Sequence, residues 1–222
     1  MSTGCGVKVV DYWGNGFGMR VRIALEEKGV QYEHIEEDLI NPQRSEIVLQ
    51  MNPVRKSVPI LIHKGRPVSD SLAILEYIED TWKGDNFPFL LPQDPYERAC
   101  ARFWINFIDN KLFSSQTKFL KSKGESKEEA RKELIADLKK LEEVLGDEVY
   151  FGGDKFGFLD LAFIPYSSMF YGYEAYGNFS LEDECPKLSA WVKRCIARES
   201  VSKILPDSLK MYEVHKKFYG IE

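Results

Sequence analysis

Apolar positions recur with two different periods along the chain, and the period changes near residue 85. In the first part, short apolar runs typical of β-strands alternate with segments that repeat every three or four residues, as helices do. The pattern predicts strands at 7–12, 32–36, 59–63 and 66–69, and helices at 17–28 and 72–82. Lys64 and Gly65 favour a tight turn, so the last two strands are expected to form a hairpin.

Beyond residue 93 the strand-type runs almost vanish, and helical stripes replace them. The segment Asp94-Pro95-Tyr96-Glu97 is typical of a helix start, with Asp at the N-cap, Pro at N1 and Glu at N3. A capping box is predicted at Ser126 and Glu129, before a stripe that Gly146 ends. The apolar stripes are Ala130, Leu134, Leu138, Leu141 and Leu145, and then Leu188, Trp191, Val192, Cys195 and Ile196.

These patterns predict an α/β plus all-α protein with two domains. The order βαβ followed by ββα is the thioredoxin-like arrangement, which we assign to residues 1–84. Residues 85–93 carry two prolines without periodicity and are interpreted as a linker. Residues 94–222 are expected to form an all-helical domain.

Charge and composition narrow the classes of partner. The formal net charge of −5 and a pI near 5.4 argue against a nucleic acid or an anionic membrane surface. The apolar runs are too short to span a bilayer, and the first residues lack the pattern of a secretory signal. Cys5, Cys100, Cys185 and Cys195 lack metal-ligand spacing. We therefore expect reduced thiols, a cytoplasmic protein and no metal site.

The glycine-rich segment 13–20 joins the first strand to the first helix, and three interpretations of it are open. It is a turn without chemistry, a dinucleotide fingerprint, or a ligand site at the helix N-terminus, which favours an anion. Gly14 and Gly16 match the first two glycines of GxGxxG, and Glu36 lies near the usual acidic position. Met19 occupies the place of the third glycine, which disfavours the fingerprint.

Motifs spread along the chain resemble those of plant tau-class glutathione transferases. They are Phe17-Gly18-Met19-Arg20-Val21-Arg22-Ile23-Ala24-Leu25 with Glu27-Lys28-Gly29, Asn52-Pro53-Val54, Val58-Pro59-Ile60-Leu61-Ile62-His63, Asp94-Pro95-Tyr96, Ala101-Arg102-Phe103-Trp104, Tyr150-Phe151-Gly152-Gly153-Asp154 and Cys185-Pro186-Lys187. The resemblance covers nearly the whole chain. It implies the cytosolic glutathione transferase fold, glutathione as co-substrate and a homodimer.

The resemblance places Asn15 at the glutathione sulfur, where the family has a serine. That serine donates a hydrogen bond that stabilises the thiolate, and the amide of Asn15 can donate one as well. Asparagine at this position also resembles the nu-class bacterial enzymes and the yeast prion-forming relative, which hints at disulfide-bond reductase activity. The alternative is that Asn15 only caps the helix, as asparagine does well.

Five further residues are implied glutathione contacts. The backbone of Val58, before an expected cis-proline, pairs with the glutathione backbone. Asp70 and Ser71 match a Glu-Ser pair that holds the γ-glutamyl end, although both also suit a helix N-cap. Ser57 replaces a lysine that contacts the glycyl carboxylate, and Arg44 is a basic candidate for the same carboxylate. The alternative for Arg44 is a solvated surface charge.

The resemblance also implies a mainly apolar pocket for a second substrate. Its candidate residues are Phe17 in the first domain and Phe113, Thr117 and Leu120 on the first long helix of the second. The alternative is core packing, above all for Leu120. Asp160 matches a folding motif of the family, in which it caps a buried helix and takes no part in catalysis.

The leading hypothesis is an enzyme that conjugates glutathione to hydrophobic electrophiles. Two other functions stay open. One is a ligandin-type carrier of hydrophobic plant metabolites with little transferase activity, which the altered Asn15, Ser57 and Asp70 favour. The other is an isomerase or lyase of specialised plant metabolism on the same fold.

Overall fold

The computed structural model describes residues 6–84 and 86–221. Cys5 and Asp85, the first residue of the predicted linker, lie outside the described residues. The other three cysteines are free thiols.

The chain divides into two compact units, Met1–Leu91 and Pro92–Glu222. The first has the thioredoxin-like order of strands and helices, and the second is helical along most of its length. The fold class predicted from the sequence is therefore confirmed.

The first unit is built on a four-stranded sheet. Its strands are β1 (Val7–Asp11), β2 (Glu33–Glu36), β3 (Ile60–His63) and β4 (Arg66–Ser69). They lie in the order β2-β1-β3-β4, with β1 parallel to β2 and the other two pairs antiparallel. Val9, Val10, Ile60 and Leu61 of the two central strands have no exposed surface, so the core of the unit lies against β1 and β3.

Three helices complete the first unit: α1 (Gly16–Glu27), α2 (Glu46–Met51) and α3 (Ser71–Thr81). α1 and α3 pack against each other. Every residue from Gly18 to Leu25 is buried, so α1 is covered all round and not along one stripe only. The periodicity does not predict α2, because a helix of six residues with the single buried residue Val48 leaves no repeat to detect.

The second unit consists mainly of helices, and their bounds follow. They are α4 (Pro95–Asn106), α5 (Phe113–Lys121), α6 (Glu125–Leu145), α7 (Phe158–Phe163), α8 (Ser167–Gly177), α9 (Leu181–Glu184), α10 (Pro186–Ile196), α11 (Glu199–Ser202) and α12 (Ser208–Tyr219), with a 3₁₀ turn at Ile164–Tyr166. α4 begins as predicted, because Oδ1 of Asp94 accepts hydrogen bonds from the backbone of Tyr96 at 2.9 Å and of Glu97 at 3.0 Å.

The first long helix predicted for this unit is interrupted. A π-helical segment, Phe107–Leu112, separates α4 from α5. There the side-chain amide of Asn110 donates to the carbonyl of Asn106 at 3.1 Å. This carbonyl would normally accept from the backbone of Asn110, so the side chain competes with the α-helical bond.

Two sequence predictions in the second unit are wrong. The capping box at Ser126 does not form, because α6 begins at Glu125 after Gly124, whose φ is 59°. Ser126 is already helical, and its hydroxyl donates to the carbonyl of Lys123 at 2.8 Å. Ile196, expected in the buried stripe of α10, is 44% exposed because it lies at the last residue of that helix.

Candidate functional site

One edge of the sheet gathers the segments that carry the candidate ligands of the first unit. β1 and β3 are antiparallel, with Val10 opposite Ile60, and Ile60 is in turn opposite Ser69 of β4. The chain therefore leaves β1 and β4, and enters β3, at the same edge. The turn before α1, the residues before β3 and the first turn of α3 all meet there.

Asn15 is the N-cap of α1, and its side chain is bonded at both ends. Its φ of −82° and ψ of 110° are extended, as an N-cap requires. Its Oδ1 accepts a hydrogen bond from the backbone N–H of Phe17 at 3.2 Å, and its Nδ2 donates one to Oδ1 of Asp11 at 2.8 Å. Within residues 6–84 and 86–221 the second N–H of this amide has no acceptor and can be donated to a ligand.

Asp11, the last residue of β1, is a fully buried carboxylate. Among the described residues its Oδ2 has no hydrogen-bond partner, and Nη2 of Arg22 lies 3.5 Å away. Burial raises the pKa of Asp11 to about 7, although the charge of Arg22 and the bond from Asn15 act to lower it. At neutral pH this carboxyl is therefore divided between its acid and its carboxylate form.

Gly18 and Arg22 shape the surroundings of this carboxylate. A Cβ at position 18 would lie 1.7 Å from Oδ2 of Asp11, so only glycine allows α1 to pass so close. Nη2 of Arg22 donates to the carbonyl of Trp13 at 2.9 Å, which ties the turn to the second half of α1. The turn that carries Asn15 is thus held from both sides.

The segment before β3 forms a second wall of this edge. The peptide bond between Val58 and Pro59 is cis, as the sequence predicts. Nδ2 of Asn52 donates to the carbonyl of Ser57 at 2.9 Å, and the backbone N–H of Lys56 donates to the carbonyl of Asn52 at 2.8 Å. A buried amide therefore fixes the path of the chain into the cis bond, while the side chain of Ser57 is exposed.

Asp70 is the N-cap of α3, with a φ of 81°. Its Oδ1 accepts from the backbone of Leu72 at 3.1 Å and of Ala73 at 3.4 Å. Its Oδ2 pairs with Nη1 of Arg55 at 3.0 Å, an exposed ion pair that the sequence analysis did not predict. Ser71, the first residue of α3, is buried to 7% exposure.

Arg44 lies in the loop between β2 and α2. Its Nη1 donates to the carbonyl of Asp38 at 3.2 Å and to that of Asn41 at 3.1 Å. The guanidinium therefore holds its own loop, and the group still has further N–H donors.

The candidate residues of the second unit lie on α5 and differ in exposure. Phe113 is 40% exposed, Thr117 is half-buried and Leu120 is 2% exposed. Such burial is also what core packing of Leu120 requires. The hydroxyl of Thr117 donates to the carbonyl of Phe113 at 2.8 Å. A hydrogen bond between Thr117 and Tyr219 links α5 to α12 and acts to lower the pKa of Tyr219, which burial raises.

Asp160 caps α7, as the sequence analysis predicted. Its Oδ2 accepts from the backbone of Gly157 at 2.9 Å. Its Oδ1 accepts from the backbone of Phe151 at 3.1 Å and from Nε1 of Trp191 at 2.7 Å. Three donors therefore converge on one buried carboxylate.

The sequence analysis missed three residues that act on the candidate site: Asp11, Arg55 and Tyr219. An aspartate at the end of an apolar strand was a detectable signal for Asp11, because charged residues are rarely buried without a partner. No local pattern marks the other two, since their partners lie 15 residues away for Arg55 and on another helix for Tyr219.

Two kinds of feature are absent from the described residues. No helix within residues 6–84 and 86–221 is long and apolar enough to cross a membrane. In the same ranges, His, Cys, Asp and Glu side chains form no group of three or more that is able to hold a metal ion.

Comparison with known proteins identifies the family. The family models for the glutathione S-transferase N-terminal and C-terminal domains match residues 6–80 and 87–199. Glutathione S-transferase 3 of Glycine max is 53% identical over 206 residues, which are 93% of this chain and 92% of that protein.

Two solved structures have the same fold and similar length. Rice GST1, solved in complex with glutathione, has a TM-score of 0.92 and 40% identity, with 99% of this chain and 98% of that chain covered. The tau class glutathione S-transferase of mango has a TM-score of 0.89 and 34% identity, with 96% and 98% covered. The chain therefore belongs to the glutathione S-transferase family, in its plant tau class, and is a transferase whose co-substrate is glutathione.

Proposed function

We propose that this protein joins the sulfur of glutathione to hydrophobic electrophiles, with Asn15 as the residue that contacts the sulfur. The observation that carries the proposal is the remaining N–H of the Asn15 amide, which lies at the N-terminus of α1. A free thiol has a pKa of about 8.5, and a helix N-terminus with a hydrogen-bond donor lowers it. Both features favour a thiolate at this position.

The chemical step needs no general base from the protein. Asn15 cannot accept a proton from the thiol at neutral pH, so the proton passes to solvent when the thiolate forms. The thiolate then attacks the electrophilic carbon, a carbon–sulfur bond forms, and the leaving group departs with its electron pair. The contribution of the protein is to lower the thiol pKa and to orient the reactants.

The remaining contacts of glutathione are proposed at the same sheet edge. The Val58 backbone, before the cis peptide, suits pairing with the peptide backbone of glutathione. Ser71 and Asp70 at the N-terminus of α3 suit the γ-glutamyl end, and Arg44 and Ser57 the glycyl carboxylate. Residues 1–84 would form the glutathione-binding domain.

Two features predict weak binding of glutathione. Asp70 already holds Arg55 and two backbone N–H groups, so a ligand must compete with them. Ser57 brings no positive charge to the glycyl carboxylate, and a hydrogen bond to a charged group contributes about 1.5–3 kcal/mol.

The proposed contacts of the hydrophobic substrate remain Phe17, Phe113, Thr117 and Leu120. We also propose a homodimer in the cytoplasm.

Calorimetry with glutathione, together with a conjugation assay on an aromatic electrophile, tests this function. Glutathione is expected to bind more weakly than in the micromolar range, and Ser71→Ala is expected to weaken it further. Ser208→Ala is the matched control, because Asp207 and Ser208 begin α12 as Asp70 and Ser71 begin α3. Tight binding of hydrophobic ligands without turnover, and no effect of Ser71→Ala, would instead support the carrier function.

A further inference from the structure

We propose that Asp11 is the positioning residue of the thiol site: it orients the Asn15 amide, with the oxygen toward α1 and one N–H left for the glutathione sulfur. The inference rests on the proposed function of Asn15. Asp11 lies beneath the N-terminus of α1 and does not itself face a ligand, since it has no exposed surface.

The two ends of the Asn15 amide have different partners. One end of the Asn15 side chain meets a donor, the backbone N–H of Phe17, and the other meets an acceptor, the carboxylate of Asp11. A rotation of the amide by a half-turn would place N–H against N–H and oxygen against carboxylate. With Asp11 ionised, both contacts would then be repulsive, so Asp11 and Phe17 together favour a single orientation.

The two hydrogen bonds of the amide differ in strength. The contact from Phe17 is 3.2 Å long, whereas the bond to Asp11 is 2.8 Å and is charge-assisted when the carboxyl is ionised. Without Asp11, only the longer bond orients the amide. The amide would then be able to turn either its oxygen or its nitrogen toward the ligand.

Asparagine and serine differ in how they donate a hydrogen bond to sulfur. A serine hydroxyl both donates and accepts, so rotation about one bond adapts it to a sulfur atom. An amide has its donor and acceptor on separate atoms, so it donates to the sulfur only when it is held the right way round. The asparagine of this chain therefore needs an acceptor such as Asp11.

The surroundings of Asp11 also make the bond sensitive to pH. The groups that act on this carboxyl are Arg22 on α1, Asn15 at its N-cap, the backbone of Tyr12, Glu36 on β2 and Tyr32 before β2. His34 on β2 interacts with the backbone of Asp11 and not with its carboxyl. Burial raises the pKa of Asp11 to about 7. On protonation Oδ1 still accepts from Asn15, but the bond loses its charge assistance.

Nuclear magnetic resonance of the Asn15 side-chain amide tests the bond without any ligand. With asparagine labelled by ¹⁵N, the two amide protons of Asn15 should shift with a midpoint near pH 7, where Asp11 titrates. Asp11→Asn keeps an acceptor of nearly the same shape and should abolish this titration. Amide protons of Asn15 with the same chemical shifts in the wild-type, Asp11→Asn and Asp11→Ala chains would show that the amide does not contact Asp11, and would overturn the inference.

A double-mutant cycle tests the role in the reaction. In the Asn15 chain, Asp11→Ala should lower kcat/KM for conjugation by up to about tenfold, the effect of one hydrogen bond. In the Asn15→Ala chain the same change should have less than about twofold effect, because Asp11 then has no amide to orient. Asp11→Asn should retain more activity than Asp11→Ala.

The outcomes separate this inference from the proposed function. Equal losses from Asp11→Ala in both chains, with glutathione still bound, would show a merely structural role and overturn the inference alone. Absence of glutathione binding by the wild-type protein would overturn the proposed function, and the inference with it. Should Asp11→Ala fail to fold, the activity and pH response of Asp11→Asn decide the question.

Discussion

Asp11 in the first unit and Asp160 in the second are both buried carboxylates beside a helix N-terminus, but they are bonded differently. Asp160 accepts hydrogen bonds from three N–H groups, and both of its oxygens are used. Asp11 accepts a hydrogen bond from Asn15, and a hydrogen bond from the backbone of Tyr12 also acts to lower its pKa. Among the described residues its Oδ2 has no hydrogen-bond partner and only the ion pair with Arg22 at 3.5 Å. The two sites therefore test how the number of partners separates structural from functional roles.

Burial raises the pKa of Asp160 to about 6 and that of Asp11 to about 7. The three donors at Asp160 favour its ionised form, which offsets part of the effect of burial. Both carboxyls therefore have a pKa raised by burial, and they differ in the donors that stabilise the ionised form. A buried carboxylate whose oxygens are not all bonded is more common where a site has chemistry to perform.

Asp160→Ala should cause the largest effect. Three buried donors would each lose their partner, at about 1–3 kcal/mol apiece, so the free energy of unfolding should fall by about 4–6 kcal/mol. Urea denaturation followed by circular dichroism measures it. Trp191→Phe is a partial control that removes the indole donor alone and should cost less. A loss below about 2 kcal/mol for Asp160→Ala would show that the cap is not structural.

The pH dependence of stability, measured for the wild type against Asp11→Asn, should report the buried carboxyl of Asp11. Its pKa is raised from 3.8 to about 7 in the folded protein. Between these values the folded state holds a proton that the unfolded chain has released, so stability falls as pH rises. The free energy of unfolding of the wild type, relative to Asp11→Asn, should therefore decrease by at most about 4 kcal/mol between pH of about 4 and about 7.

Asp147 provides a control of opposite sign for that measurement. Its side chain is exposed and pairs with Lys187, and this hydrogen bond lowers the pKa of Asp147. The stability that it contributes is therefore lost as the pH falls through its folded pKa. If the free energies of unfolding of the wild type and of Asp11→Asn changed with pH in the same way, the raised pKa of Asp11 would be contradicted.

Gly18→Ala should destabilise the protein by about 1–3 kcal/mol, because the new methyl group overlaps the carboxylate of Asp11. In the Asp11→Ala chain the overlap is removed, and alanine is the better helix former by about 0.5–1 kcal/mol. In that chain Gly18→Ala should therefore stabilise the protein. Thermal unfolding of the wild type, the two single variants and the double variant measures this change in stability. An equal loss from Gly18→Ala with and without Asp11 would show that contact with Asp11 is not the cause.

Periodicity and turn residues predicted most of the fold, but the candidate site only in part. The strands and the α4 cap followed from local patterns within a few residues, and the role of Asp160 followed from the family resemblance. The pairs Asp11–Asn15 and Asp70–Arg55 did not, because they depend on which strands are neighbours and on the path of a turn. A local pattern identifies an N-cap, but only tertiary structure shows what the rest of the capping side chain contacts.

Substitutions of Asn15 should have the smallest effect in free energy. They separate most clearly a residue that only caps a helix, as Asp160 does, from one that acts on the substrate. If Asn15 were only a cap, as Asp160 is, Asn15→Ala would lower stability and leave conjugation unchanged.

We expect instead that Asn15→Ala lowers conjugation. Asn15→Ala removes one donor to the sulfur, so conjugation should fall by up to about tenfold, or about 0.5–1.5 kcal/mol. Asn15→Ser keeps a cap and a donor that needs no orientation, so conjugation of simple aromatic electrophiles should rise. Asp94→Ala, which removes the side-chain cap of α4, controls for the loss of a cap. Stopped-flow or steady-state assays of conjugation by all three variants decide whether Asn15 is only a cap or also a donor to the sulfur. If Asn15→Ser destroyed a native activity, the amide would have been retained for another reaction, and the isomerase or lyase hypothesis would lead.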